Sequence, residues 1–213
     1  PTFDLNAYND RSVTSAQRRN RAIWTPYEPG SVFKVITLAT LLHSGRAKPT
    51  DVFYCEDGLY KPHRRIKSIR DVHPYGDLTL ADVIAKSSNI GVLKAASRLT
   101  QDEFRGYVEV FGLARRTQVD LPYERTGLTG ALSERSGSAM YFAPWGQGIS
   151  VTPIQMLSAV NAIANGGVPT QPHVRLDAEV APMPRIISAE AAKTTVDIMV
   201  SVVTDGSGRS AQM

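Results

Sequence analysis

Residues 31–42 constrain the fold more than any other stretch of this sequence. Val32, Phe33, Val35, Ile36, Leu38, Ala39, Leu41 and Leu42 spread around a helix so that almost no side is left polar. A helix on the surface of a soluble protein carries one apolar stripe, whereas one that is apolar nearly all round belongs in the middle of a domain. Glu28-Pro29-Gly30 is a turn signal directly before it, and Gly45 is placed to end it. Other elements must therefore wrap this helix. A chain of 213 residues is long enough to do so as one domain.

The wrapping elements read mostly as helices. Residues 1–28 are polar and basic, with Arg18, Arg19 and Arg21, and read as an irregular, solvated lead-in. Residues 51–77 mix aromatics, Gly and Pro in the manner of short strands and turns. A helix over 79–86 places Leu80, Val83 and Ile84 on one face, Ser87-Ser88-Asn89 breaks it, and another runs over 90–98. Thr100-Gln101-Asp102-Glu103 is a capping box that opens a helix to Val110, closed at Gly112. Residues 120–148 are loop-rich. Thr152-Pro153-Ile154-Gln155 combines an N-cap Thr, Pro at the first helical position and Gln at the third, starting a helix to Asn165. A last helix over 189–203 presents Ala192, Val196, Met199, Val200 and Val203 on one face.

Charge and cysteine content narrow the function. The formal net charge is +4, with Lys and Arg scattered rather than set in one stripe with aromatics, which argues against nucleic acid as a partner. Such a surface suits work beside an anionic membrane or polymer. Arg64, Arg65, Lys67 and Arg70 read as a solvated face. One cysteine, Cys55, allows no intrachain disulfide and reads as a half-buried small side chain. His43, His63, His73 and His173 have no ligand spacing, so no metal or other cofactor is expected. No apolar run approaches the ~18 residues of a membrane helix. Both ends read as cuts through a longer chain.

The chemistry points to Ser31 and Lys34, three residues apart at the start of the buried helix and so on one side of it. A serine attacks only when something takes its proton, and lysine can do that only when neutral. Burial disfavours the ammonium form and lowers a lysine pKa, so a lysine one turn into an apolar helix is where such a base belongs. The helix N-terminus adds N–H groups suited to an oxyanion. The competing reading makes Ser31 a helix cap and lets Lys34 snorkel into water. Ser87-Ser88-Asn89 is either an ordinary turn or a source of a proton-relaying hydroxyl and a substrate-holding amide. If the pair is catalytic, Lys34 Nζ should lie within hydrogen-bond reach of the Ser31 hydroxyl, with Ser87 completing a triangle.

S-x-x-K, S-x-N and K-[ST]-G together mark penicillin-binding proteins and their β-lactamase relatives. Arg19-Asn20-Arg21-Ala22 and Tyr27-Glu28-Pro29-Gly30-Ser31-Val32-Phe33-Lys34 resemble the nucleophile region of class B penicillin-binding proteins. Ile69-Arg70-Asp71-Val72-His73, Lys86-Ser87-Ser88-Asn89-Ile90-Gly91 and Leu121-Pro122-Tyr123-Glu124 are similar to later segments of that family. So is 145–153, although Trp145 stands where the family more often has Tyr. The likeness runs through nearly the whole chain in family order.

The resemblance implies an α/β transpeptidase fold, of which residues 1–213 form a partial domain: mainly α, with most of the central sheet missing. It implies that Ser31 attacks the carbonyl between the two terminal D-alanines of a peptidoglycan stem peptide. Lys34 would accept its proton, Ser87 would protonate the departing D-alanine and Asn89 would bind the substrate amide. β-Lactams would acylate Ser31. Further implied partners are other cell-wall synthesis proteins, reached through the parent chain. The implied location is the outer side of a bacterial cytoplasmic membrane. K-[ST]-G is absent, since Lys193 is followed by Thr-Thr and no lysine comes after it. That leaves the substrate carboxylate site and half the oxyanion hole unaccounted for, and implies an inactive, poorly soluble fragment. With the sheet missing, Phe33, Val35 or Leu38 should face an uncovered apolar surface.

Two alternatives remain at this level. A serine β-lactamase or penicillin sensor needs a deacylating base; Glu109, Glu124 and Glu134 are in the right region but lack an E-x-x-L-N setting. A non-catalytic helical interaction module would leave Ser31 as a cap and Lys34 solvated.

Overall fold

A computed structural model describes residues 6–133 and 138–212. The order along the chain is α1 (Arg21–Trp24), a 3-10 turn (Gly30–Phe33), α2 (Lys34–His43), β1 (Val52–Tyr54), β2 (Leu59–Tyr60), β3 (Ile69–Arg70) and β4 (Asp77–Thr79). Then come α3 (Leu80–Ala85), α4 (Asn89–Ala96), α5 (Gln101–Val110), α6 (Pro153–Ala164) and α7 (Ala189–Thr204). The strands make two small antiparallel pairs, β1 with β4 and β2 with β3. The described part is mainly helical, as the pattern predicts, and 130–145 holds three short 3-10 turns.

α2 is the axis of the core. Every residue from Lys34 to Leu41 is buried, and α3, α4, α6 and α7 all pack on it. The Phe33 and Phe104 rings lie 6.3 Å apart, joining the start of this helix to α5. The expectation of an uncovered Phe33, Val35 or Leu38 is therefore wrong: all three are buried by the chain's own helices. Apolar exposure falls instead on Val32, 58% exposed, and on Leu157, Val196 and Val200 of α6 and α7.

The face assigned to α7 also needs correction. Ala191, Ala192, Thr195 and Ile198 are buried, while Val196 and Val200 point outward. A threonine can take a core position because its hydroxyl donates to the Ala191 carbonyl at 2.7 Å, leaving no polar atom unsatisfied. Hydrophobicity alone ranks that position as polar and turns the predicted face around the helix.

The caps form as the sequence demands. Thr100 Oγ1 accepts from Glu103 N at 3.1 Å, and Glu103 Oε2 accepts in return from Thr100 N at 2.7 Å. Thr152 and Gln155 make the same reciprocal pair at the start of α6. Thr100→Ala should cost about 1 kcal/mol, a fall in melting temperature of roughly 2–4 °C, with Thr100→Ser restoring most of it. An unchanged melting curve would show that the α5 start is held by packing alone.

Candidate active site

Ser31 sits in the 3-10 turn and Lys34 is the first residue of α2. A 3-10 turn repeats every three residues, so the two side chains leave the same side of the chain. The turn is seated from behind by 144–151. Gly30 N donates to the Gly146 carbonyl at 3.0 Å, and Thr37 Oγ1 to the Pro144 carbonyl at 2.7 Å. Tyr27 pairs with Val151, and Glu28 accepts from Gly148 N at 3.0 Å. The Ser31 turn thus rests on main chain more than a hundred residues away.

The two side chains have opposite surroundings. Ser31 is exposed and its hydroxyl caps neither the 3-10 turn nor α2, so the capping reading fails. Lys34 is only 2% exposed, so the snorkelling reading fails too. Its Nζ donates to the Ser87 carbonyl at 2.5 Å and to Ser87 Oγ at 2.9 Å. Desolvation drives the Lys34 pKa from 10.5 to about 8, against the nearby Asp71 charge, which raises it. A buried lysine near 8 is neutral in an appreciable fraction at neutral pH and can accept a proton.

The expected triangle is only partly present. Lys34 joins Ser87, but among the described residues no hydrogen bond joins Lys34 to Ser31. A buried ammonium needs acceptors, and the left-handed backbone at Ser87 (φ 57°) accompanies a carbonyl that meets it. Ser31, Lys34 and Ser87 nevertheless line one cavity of about 420 Å³, whose walls include Val35, Ile84, Ile163 and Met199. Ser207, from the Gly-Ser-Gly stretch, reaches the same cavity.

Asn89 lies outside that lining. Its Nδ2 donates to the Arg70 carbonyl at 3.0 Å, and it is the first residue of α4. Ser88, not Ser87, caps α4, accepting from Gly91 N at 2.8 Å. In the sequence Asp71 is only one residue of the Ile69–His73 segment, yet it anchors this turn. Its Oδ1 accepts from Asn89 N at 2.6 Å and Ile90 N at 3.2 Å, and its Oδ2 from Ser88 Oγ at 2.5 Å. An acidic residue upstream of a Ser-Ser-Asn helix start is the available signal, but a pairing across β4 and α3 has no local signature.

The whole chain, residues 1–213, matches the family model described as the penicillin-binding protein transpeptidase domain. The chain belongs to this family. It is 33% identical to penicillin-binding protein PbpB of Mycolicibacterium smegmatis over 95% of its own length and 32% of the relative's. It is 29% identical to peptidoglycan D,D-transpeptidase FtsI of Escherichia coli, over 95% of this chain and 34% of that one. The chain thus spans about a third of the length of these curated relatives. Among solved structures it superimposes on penicillin-binding protein 3 of Mycobacterium tuberculosis complexed with ampicillin. The TM-score there is 0.79 at 31% identity, covering 91% of this chain and 46% of the other. The helical core described above is therefore a penicillin-binding transpeptidase fold.

Within this transpeptidase domain, none of the glutamates weighed for a β-lactamase lines the Ser31 cavity among the described residues. Glu124 is buried and accepts from Thr117 N, Thr117 Oγ1 and Gln118 N at 2.6, 2.7 and 2.9 Å, a loop staple. Glu109 is exposed on α5 beside Arg105. Glu134 lies outside the described residues. Cys55 is fully buried, not half-buried, and Arg64, Arg65, Lys67 and Arg70 are exposed.

Proposed function

We propose that this chain is part of a peptidoglycan D,D-transpeptidase that cross-links stem peptides through an acyl-enzyme at Ser31 and is inhibited by β-lactams. The observation that carries this reading is a buried lysine, depressed to about 8, bonded to Ser87 and opening with Ser31 onto one cavity.

Ser31 Oγ attacks the carbonyl between the two terminal D-alanines while its proton passes to neutral Lys34. The tetrahedral adduct collapses by breaking the peptide C–N bond, and the D-alanine nitrogen leaves with a proton delivered through Ser87. An amine of a neighbouring stem then attacks the acyl-enzyme ester, forms the cross-link and returns Ser31 to its hydroxyl form. Asn89, two residues beyond Ser87, would hydrogen-bond the substrate amide once its Nδ2 leaves the Arg70 carbonyl. A β-lactam follows the first half of this path, and its ring-opened acyl group stays on Ser31.

The reading places the parent protein at the bacterial cytoplasmic membrane with this domain on the outer side. The stem peptide, and through the parent chain other cell-wall synthesis proteins, are its partners. No helix among the described residues is long and apolar enough to cross a membrane. The 213 residues contain no K-[ST]-G, so the group that recognises the substrate carboxylate is assigned to the rest of the parent chain, and these residues alone are expected to be inactive.

The test is a tryptic map of the full-length protein after reaction with benzylpenicillin. Cleavage after Arg21 and Lys34 releases peptide 22–34, whose one serine is Ser31. The penicilloyl mass should sit on that peptide; an adduct elsewhere, or none, removes Ser31 as nucleophile. Rapid loss of the adduct with turnover of a chromogenic cephalosporin would favour a β-lactamase instead.

A further inference from the structure

We propose that Asp71 is a positioning residue of this site: its carboxylate fixes the turn that receives Lys34 Nζ. The inference rests on the acyl-enzyme reading above and adds a residue to which that reading gives no role.

The geometry is a two-oxygen clamp. One carboxylate oxygen takes the first two backbone N–H groups of α4, and the other takes the hydroxyl of the α4 cap. A carboxylate at a helix N-terminus is favoured by the orphan N–H groups and by the helix dipole. What the clamp holds is residues 88–90, next to Ser87. Ser87 keeps a left-handed backbone, costly for a residue with a side chain unless its surroundings over-determine it. With the turn pinned on its far side by Asp71, the Ser87 carbonyl and hydroxyl both meet Lys34.

Asp71 is also placed to act on Lys34 through its charge. α6 carries no charged residue, and α2 has none beyond Lys34 except the terminal His43. On α3, Asp82 accepts from its own cap residue Thr79, and Lys86 beyond it lies over the Tyr75 ring. Lys94 of α4 is paired with Glu56, and Lys193 with Asp197 on the exposed side of α7. Glu190 lies in the first turn of α7, while Asp205 and Arg209 follow the helix in exposed positions. Beside these, Asp71 is the charge that reaches Lys34, favouring its ammonium form; Cys55 and Tyr75 are pushed up mainly by burial, and Asp71 adds to both.

The two roles separate by substitution. Asp71→Asn keeps the volume and an acceptor for the two backbone N–H groups but removes the charge. Asp71→Ala removes both. In the full-length protein, second-order acylation by benzylpenicillin would be followed against pH for wild type and both variants. Asp71→Asn should keep its plateau within about threefold while its acid limb moves to lower pH by roughly one unit. Asp71→Ala should lower the plateau by at least about tenfold. An Asn profile that superimposes on wild type, or an Ala plateau equal to it, overturns the proposal. Should the Ala variant fail to fold, the Asn profile alone decides. A wild type that takes no label on peptide 22–34 is a failure of the acyl-enzyme reading, seen before either variant is made.

Discussion

Replacing Lys34 with methionine in the full-length protein is expected to slow acylation of Ser31 by about 10²–10⁴-fold, the range for loss of a positioned general base. Wild-type acylation should rise with pH, reach half its maximum near pH 8 and level off above it, as Lys34 loses its proton. The methionine variant should lack that limb. The same substitution has a stability signature whose sign is fixed by linkage. The folded pKa lies below the unfolded value, so between about 8 and 10.5 the unfolded chain binds more protons than the folded one. Wild-type stability therefore gains from this group as pH rises through that window. Below it, the full cost of burying an ammonium is present. A depression of this size corresponds to about 3 kcal/mol. Because Tyr54, Tyr75 and Tyr107 also titrate at high pH, the quantity to measure is the difference between wild type and variant in denaturant melts. A difference that does not change between pH 7.5 and 10.5 would mean that Lys34 is not a depressed, buried base, and an unchanged acylation rate would remove it from the mechanism.

The parts of this domain legible in the sequence are those governed by local rules. The buried helix, both capping boxes and the short strands in 51–77 follow from periodicity, cap chemistry and turn residues. Each appears within a few residues of its expected place. What sequence could not supply is pairing across long separations. The expected triangle puts Lys34 within reach of both Ser31, three residues away, and Ser87. Among the described residues its bonds go to Ser87 alone, 53 residues on, because a buried ammonium seeks a carbonyl that local structure leaves available. Asp71 carries no such local mark either: its partners lie 17 or more residues on, beyond β4 and α3. The cover over α2 was misjudged differently. An apolar face calls for burial but does not say what buries it, and here helices α3, α4, α6 and α7 do so. The onset of α2 was also read one turn early. Gly30–Phe33 is 3-10, which leaves Ser31 exposed on a tight turn rather than inside a regular helix.

That exposed turn depends on Gly146, where a single methyl group is expected to have a large structural effect. Gly146 has φ +80°, and a Cβ there would overlap the Gly30 backbone and come within 2.8 Å of Phe33 Cβ. The Gly30 N–H to Gly146 carbonyl bond leaves little room for the two segments to part. Gly146→Ala therefore combines an unfavourable left-handed residue with a backbone clash. It should cost about 3 kcal/mol or more, the range reserved for core overpacking and backbone strain. Because the displaced partner is the residue before Ser31, acylation should fall by about 100-fold even in protein that remains folded. Gly148 provides the control. It too is left-handed, at φ +71°, but nothing lies within 4 Å of where its Cβ would stand. Gly148→Ala should carry only the conformational cost, about 1 kcal/mol, and leave the acylation rate close to wild type. Thermal melts and benzylpenicillin kinetics on both variants separate the contributions. Equal losses at the two positions would mean that backbone conformation alone matters in this loop, and that Gly146 does not hold the Ser31 turn in place.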